Sequence, residues 1–293
     1  MDKRVVFSNK LLPWLLVAPQ LAITIVFFFL PAGKAIWQSF FIEDTFGGST
    51  EFVLFDNFAQ LWNLEYFHSF GVSFLYAFLV TFVGLALALL LAVMANRVIR
   101  GSTIYKTVLI LPYAVAPAIV GVLWSFLFSP AIGTISNYIT SLGFDWNPNL
   151  NSSDAMTLIV IATVWQQISY NFLFFLAGLQ SIPSSLIEAA AIDGASPAKR
   201  FWSIVFPLLS PVTFFLVVMN MVYAFFETFA IIDTTTQGGP GTSTNILVYN
   251  VYKTAFHNYD YGSSGAQSVI LMILVIGLTF LQFRYVDRKV QYT

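Results

Sequence analysis

Residues Glu188 to Pro211 read EAAAIDGASPAKRFWSIVFPLLSP, with four charges, one glycine and three prolines, in a chain where only 9% of residues are charged. Just upstream, Ser185-Leu186-Ile187-Glu188 has the S-x-x-E spacing of a capping box, in which serine and glutamate side chains satisfy helix-start donors reciprocally. Glu188 to Ile192 are mostly strong helix formers. Gly194 offers a left-handed residue to stop them. Ser196-Pro197 then restarts a helix, serine as N-cap and proline at the first position. Phe201, Ile204 and Val205 recur at helical spacing beyond it, with Lys199 and Arg200 on the polar side. Pro207 and Pro211 mark the passage into an apolar run. The spacing predicts a helix of about two turns, a glycine break, and a second amphipathic helix entering a membrane.

The surrounding composition requires that membrane. Hydrophobic residues make up 58% of the 293 positions, 31 of them phenylalanine, and mean hydropathy is +0.78. A soluble core of this size has too few charges to cover it. Six apolar segments are each long enough to cross a hydrocarbon layer as a helix: about 11–36, 72–95, 107–128, 155–179, 208–232 and 266–286. Pro13 and Pro19 interrupt the first, and Glu227 lies within the fifth. The first run has a basic flank like a signal peptide, but it is too long and Pro31-Ala32-Gly33-Lys34 is a poor cleavage site, so it is read as retained.

Charge sets the orientation. Lys3, Arg4, Lys10, Arg97, Arg100, Lys106, Lys199, Arg200, Arg284, Arg288 and Lys289 all fall on one side of six spans, eleven of the thirteen basic residues. Only Lys34 and Lys253 fall opposite, where acids such as Glu43, Asp44, Glu51, Asp56 and Glu65 gather. The positive-inside rule therefore puts the termini, 1–10 and 287–293, and the segment 180–207 in the cytoplasm. Absences exclude other chemistry. Without cysteine there is no thiol nucleophile or thiolate metal site. His68 and His257, assigned to outer loops, have no metal spacing, so no metal ligand is expected. No G-x-x-x-x-G-K-[ST] occurs, so ATP hydrolysis through a P-loop is not expected of this chain. Near-neutral charge leaves no nucleic-acid footprint, and no internal repeat stands out.

The opening stretch, with its E-A-A-x-x-D-G-A pattern followed by Phe, Ile and Pro at the expected intervals, resembles the EAA motif of permease subunits in ATP-binding-cassette importers. Phe206 stands where leucine commonly precedes the proline. LVAPQLAITIVFFFLPAG, LPYAVAPAIVGVLW and the GGP at Gly238–Pro240 extend the similarity to the carbohydrate-uptake branch of that family. QISYNFLFFLAGLQSIPSSLIEAAAIDGA and the C-terminal FRYVDRKVQY resemble, within it, one of the permease types of sn-glycerol-3-phosphate importers. The resemblance implies an all-α membrane protein of the six-helix type I importer (MetI-like) fold, in the bacterial inner membrane. It implies a transport component, not an enzyme, and one that binds no cofactor itself. A second permease, two ATPase subunits using ATP and magnesium, and an extracytoplasmic binding protein would complete the machine. Glu188, Ala189, Ala190, Asp193 and Gly194 would then form the coupling helix that seats on an ATPase. Gly238, Gly239 and Pro240 would face the binding protein, although a plain turn cluster explains them as well.

Two polar faces interrupt the apolar spans. Thr163, Gln167 and Tyr170 or Asn171 recur at spacings of three and four, with Gln166 beside them, and Asn220, Tyr223 and Glu227 align at i, i+3 and i+7. Such groups face a wet cavity, here a candidate substrate pathway, or they bond neighbouring helices. No lysine or arginine lies within the fourth and fifth spans to meet a phosphate, and Lys34 is only near an outer edge. The substrate therefore comes from the resemblance, which implies sn-glycerol 3-phosphate and extends to glycerophosphodiesters. A sugar or oligosaccharide importer is the alternative solute class. A membrane-embedded enzyme is the alternative of a different kind, and it needs clustered intramembrane acids or ligands that are not found beyond Glu227.

Overall fold

Long apolar runs can satisfy their own backbone hydrogen bonds in a membrane as helices, and helices dominate the computed structural model, which describes residues 11–43, 50–97 and 101–286. The terminal segments 1–10 and 287–293, with their basic residues, and Asp44 and Arg100 lie outside the described residues. The chain divides into two compact units, one over 1–62 and 251–270, the other over 63–250 and 271–293.

In the first unit, α1 (Leu11–Gln38) runs through Pro13 and Pro19 without a break, and Ile25–Phe29 widen to π winding. Its Phe27, Phe28 and Phe29 are exposed, as lipid-facing side chains should be. A short antiparallel hairpin, β1 (Phe41–Glu43) and β2 (Thr50–Phe52), follows in the register Phe41 to Phe52. The hairpin has no counterpart in the hydropathy pattern. Buried Asn57 ties it down, its amide donating at 2.9 Å to the carbonyls of both Ser39 and Phe41.

The second unit is built on α2 (Leu64–Arg97) and α3 (Ser152–Ser181). Gly84, Ala88 and Ala92 recur every fourth residue along α2, so its backbone can approach closely. Ala88 and Ala92 share a buried cluster with Phe172, Phe175 and Leu176 of α3. Asn151 caps α3, its side chain accepting from the Ser153 amide at 3.0 Å. Helix α2 begins well before the expected residue 72, which puts His68 in a helix and not in a loop; His257 likewise ends the short π-helix Lys253–His257.

Two expected spans are not continuous helices. In the third, Thr103–Ala114 and Pro117–Leu127 meet at a 101° bend. Val115 and Ala116 are extended there, because proline disfavours the helical conformation in the residue before it and cannot donate a backbone bond. In the fifth, Pro197–Leu208 and Ser210–Phe226 meet at 65°, with Pro207 and Pro211 each opening a new helical segment. The run ends near Phe226, and Phe229–Thr235 forms a separate helix. The last span, Tyr261–Tyr285, is continuous.

Candidate functional site

The bend at Val115–Ala116 strips carbonyls of their helical partners, and a neighbouring side chain supplies the lost bond. The Gln166 amide donates to the Val115 carbonyl at 2.7 Å, and its own Oε1 accepts from the Tyr223 hydroxyl at 3.2 Å. Helix α3, the broken third span and Ser210–Phe226 are thereby joined around one cavity of about 530 Å³. Gln166, Gln167, Tyr170, Tyr223 and Glu227 all line it, together with Tyr113. The rings of Tyr113 and Tyr170 stack at 5.9 Å.

Gln167 is buried and, unlike Gln166, keeps its amide free of hydrogen bonds among the described residues. Glu227 is exposed and caps the end of its helix, its backbone amide bonded to the Tyr223 carbonyl at 2.8 Å. Ala116 and Pro117, which open the helix Pro117–Leu127, line the same cavity. Pro117 has no amide hydrogen and the Ile119 and Val120 amides both bond the Ala116 carbonyl, which leaves the Ala118 amide open at a helix end that carries partial positive charge. The cavity thus offers donors to an anion from a helix end, an amide and hydroxyls, and one carboxylate at its rim.

Asn171 and Asn220 are not among the cavity's lining residues. Both are fully buried and bond each other across α3 and Ser210–Phe226. Thr163 is buried too, its Oγ1 2.7 Å from the Tyr76 hydroxyl. The expected polar faces therefore divide, with some groups joining helices and others facing the cavity. Sequence reasoning missed the contribution of the third span, Tyr113 to Pro117. The prolines in LPYAVAP were the available signal, since they break a helix inside a span.

Further along the chain, Ser184–Ile192 forms the short helix. Its start differs from the expected capping box. Pro183 precedes the first residue, no side chain caps it, and Ser185 and Glu188 lie inside the helix. The proline, with its extended ψ, enters the helix without a side-chain cap. The end follows the sequence. Gly194 has φ +79°, and the amides of Gly194 and Ala195 return to the carbonyls of Ala191 (3.1 Å) and Ala190 (2.9 Å), the Schellman pattern. Ser196 caps the next helix, accepting from the Lys199 amide at 3.3 Å. Glu188, Ala189, Asp193 and Gly194 are exposed, Ala190 is half-buried, and the neighbouring Ile192 is 88% exposed.

The glycine loop is pinned. The Thr244 hydroxyl donates to the Gly239 carbonyl at 2.8 Å, the Thr244 amide to Gly238 at 3.1 Å, and Thr236 and Thr244 hydroxyls meet at 2.8 Å. The Gly239–Pro240 peptide is cis. Pro240 lines an outer cavity with His68, Ser152 and Ser243. No three His, Asp or Glu side chains converge as a metal site among the described residues.

Residues 84–292 match the family of the "binding-protein-dependent transport system inner membrane component". The chain is 57% identical over 291 residues to the sn-glycerol-3-phosphate transport system permease protein UgpA of Rhizobium meliloti, covering 99% of each chain. It is 57% identical over 287 residues to the protein of the same name from Yersinia enterocolitica, covering 98% of this chain and 97% of that one. Among solved structures, a chain of a bacterial transporter that imports the acidic polysaccharide alginate superposes with a TM-score of 0.81 at 19% identity, over 94% of this chain and 95% of that chain.

Proposed function

We propose, since this chain belongs to the family of inner membrane components of binding-protein-dependent transport systems, that it is the permease subunit of an sn-glycerol-3-phosphate importer of the ATP-binding-cassette class. The observation that carries the solute is the 57% identity, over nearly the whole of both chains, to permeases named for that compound. Such a permease sits in the inner membrane as a multi-pass protein, is not an enzyme, and works with a periplasmic binding protein and an ATPase.

The rest of the machine extends the same reading. A second permease completes the pathway, and two ATPase copies bind and hydrolyse ATP with magnesium. Glu188, Ala189, Ala190, Asp193 and Gly194 form the coupling helix, held rigid by the left-handed turn at Gly194. Closure of the ATPases draws two such helices together, and the membrane helices rotate with them, exposing the cavity alternately to each side. In the cavity the phosphate faces the opening of Pro117–Leu127, where a helix N-terminus favours an anion. Gln167 and the Tyr170 hydroxyl donate to it, Tyr223 and Gln166 hold the bend in place, and Glu227 accepts from the glycerol hydroxyls. Gly238, Gly239 and Pro240 present a rigid edge to the binding protein. Asn171 and Asn220 hold the pathway's walls together without touching the solute.

The experiment is uptake of radiolabelled glycerol 3-phosphate by the whole complex in proteoliposomes loaded with ATP and supplied with the binding protein. Glycerol 3-phosphate should compete fully, glycerophosphodiesters should compete in part, and maltose should not. No uptake of glycerol 3-phosphate, with uptake of labelled maltose in its place, would move the chain to the sugar importers.

A further inference from the structure

A second cavity, of about 400 Å³, lies behind the coupling helix. Val93, Leu179, Ile182 and Phe201 give it apolar walls, and Asn96 and Arg200 supply its polar groups. The ends of α2 and α3 converge there with the segment 182–205. Arg200 is half-buried, and its Nε is shut off from solvent with no hydrogen-bond partner. No carboxylate pairs with it among the described residues, and none lines the cavity. An enclosed guanidinium donor left without an acceptor is costly, and a charged acceptor removes that cost. Trp202, two residues on, is 63% exposed, as an interfacial aromatic should be. The basic side of the charge pattern puts this level at the cytoplasmic surface of the bilayer.

We propose that this pocket holds the phosphate of an anionic glycerophospholipid from the cytoplasmic leaflet, its diester on Arg200 and its glycerol and upper acyl chain along Val93, Leu179 and Ile182. A basic pocket between helices at this depth suits such a headgroup. A free phosphate ester shares the anion but leaves the apolar walls bare, which is why the lipid is the occupant. The site is independent of the solute that crosses the pathway. It places a lipid directly against Ile187 of the coupling helix, where bilayer composition would tune coupling.

The test uses the complete transporter, equilibrated in nanodiscs of phosphatidylcholine containing phosphatidylglycerol and then measured for retained lipid by native mass spectrometry. Wild type should retain phosphatidylglycerol in preference to phosphatidylcholine. Arg200→Gln should cut that retention about fivefold, whereas Lys199→Gln, on the exposed neighbour, should change it by less than about twofold. Val93→Phe, which fills the apolar wall and leaves the guanidinium intact, should also lower it, so a folding defect in Arg200→Gln cannot mimic the result unnoticed. Unchanged retention in Arg200→Gln or Val93→Phe, or equal retention of both lipids by wild type, overturns the site. Displacement of phosphatidylglycerol by excess glycerol 3-phosphate or inorganic phosphate assigns Arg200 to a free anion and overturns the lipid.

Discussion

The side-chain amides of Asn171 and Asn220 bond reciprocally, Nδ2 to Oδ1 at 3.0 and 2.7 Å, with neither residue exposed. Asn220 also donates to the Leu216 carbonyl at 2.8 Å. An amide pair of this kind uses its polar capacity on itself and leaves little for a passing solute. Asn220→Leu should lower the thermal stability of the complex in detergent by about 1 kcal/mol, at roughly 0.6 kcal/mol per interhelical bond. Uptake should fall only as the amount of assembled protein falls. Adding Asn171→Leu should recover part of the stability, because no buried amide is then orphaned. Uptake lost beyond the loss of assembly would return Asn220 to the pathway.

Gln167 shows the opposite pattern. It lines the cavity and has no partner to lose among the described residues, so Gln167→Leu should leave the melting temperature unchanged. A substrate oxygen deprived of its donor costs about 1–3 kcal/mol, so uptake should drop roughly tenfold or more. Paired uptake and melting measurements check this, and wild-type uptake would remove Gln167 from the site.

Gln166 should behave as both at once. Gln166→Leu leaves the Val115 carbonyl without its donor at a bend inside the membrane, and frees the Tyr223 hydroxyl. Stability should fall by about 1–2 kcal/mol, and the uptake of protein that does assemble should fall too. A variant that loses neither would show the bend to be held by something else.

At the coupling helix, Gly194→Pro should abolish transport while the complex still inserts. Nothing lies within 4 Å of where a Cβ would sit, so crowding is not the obstacle. The obstacle is φ +79°, which proline cannot adopt, and the lost amide bond to Ala191. Normal ATP-dependent uptake at normal abundance would remove Gly194 from coupling.

Because Glu188 is exposed and lies inside its helix, away from any cap, Glu188→Lys should cost the permease almost nothing in stability. Its effect should fall on the partner: less ATPase co-purifying, and weaker stimulation of hydrolysis by the loaded binding protein. Undiminished association would mean that the segment only anchors the helix that follows it.

Much of this architecture is legible in the residues themselves. Charge-free runs and eleven basic residues on one side define a multi-pass membrane chain, since solvation by lipid acts residue by residue along the sequence. Gly194 and Ser196-Pro197 are readable because turn and cap chemistry is local. The capping box is misplaced for the same kind of reason: Pro183 starts the helix before Ser185 can cap it. The division of the polar faces is not legible. Whether Asn171 meets Asn220 or a cavity depends on how two helices rotate against each other, and helical spacing is blind to that rotation. The third span's role is hidden similarly, because hydropathy averages over the extended pair Val115–Ala116 that opens the cavity.

The cavity lining contains Gln167, three tyrosines and Glu227, but no lysine or arginine. The solute's own charge has an electrical consequence all the same. A phosphate monoester entering an inside-negative cell moves against the voltage at about 2.3 kcal/mol per elementary charge per 100 mV. A fixed side-chain charge would not change that work, because it does not cross with the solute, so an anion that enters without a compensating cation is driven against the field. In the proposed coupling, the stroke passed through Gly194 has to overcome the membrane field as well as the concentration gradient.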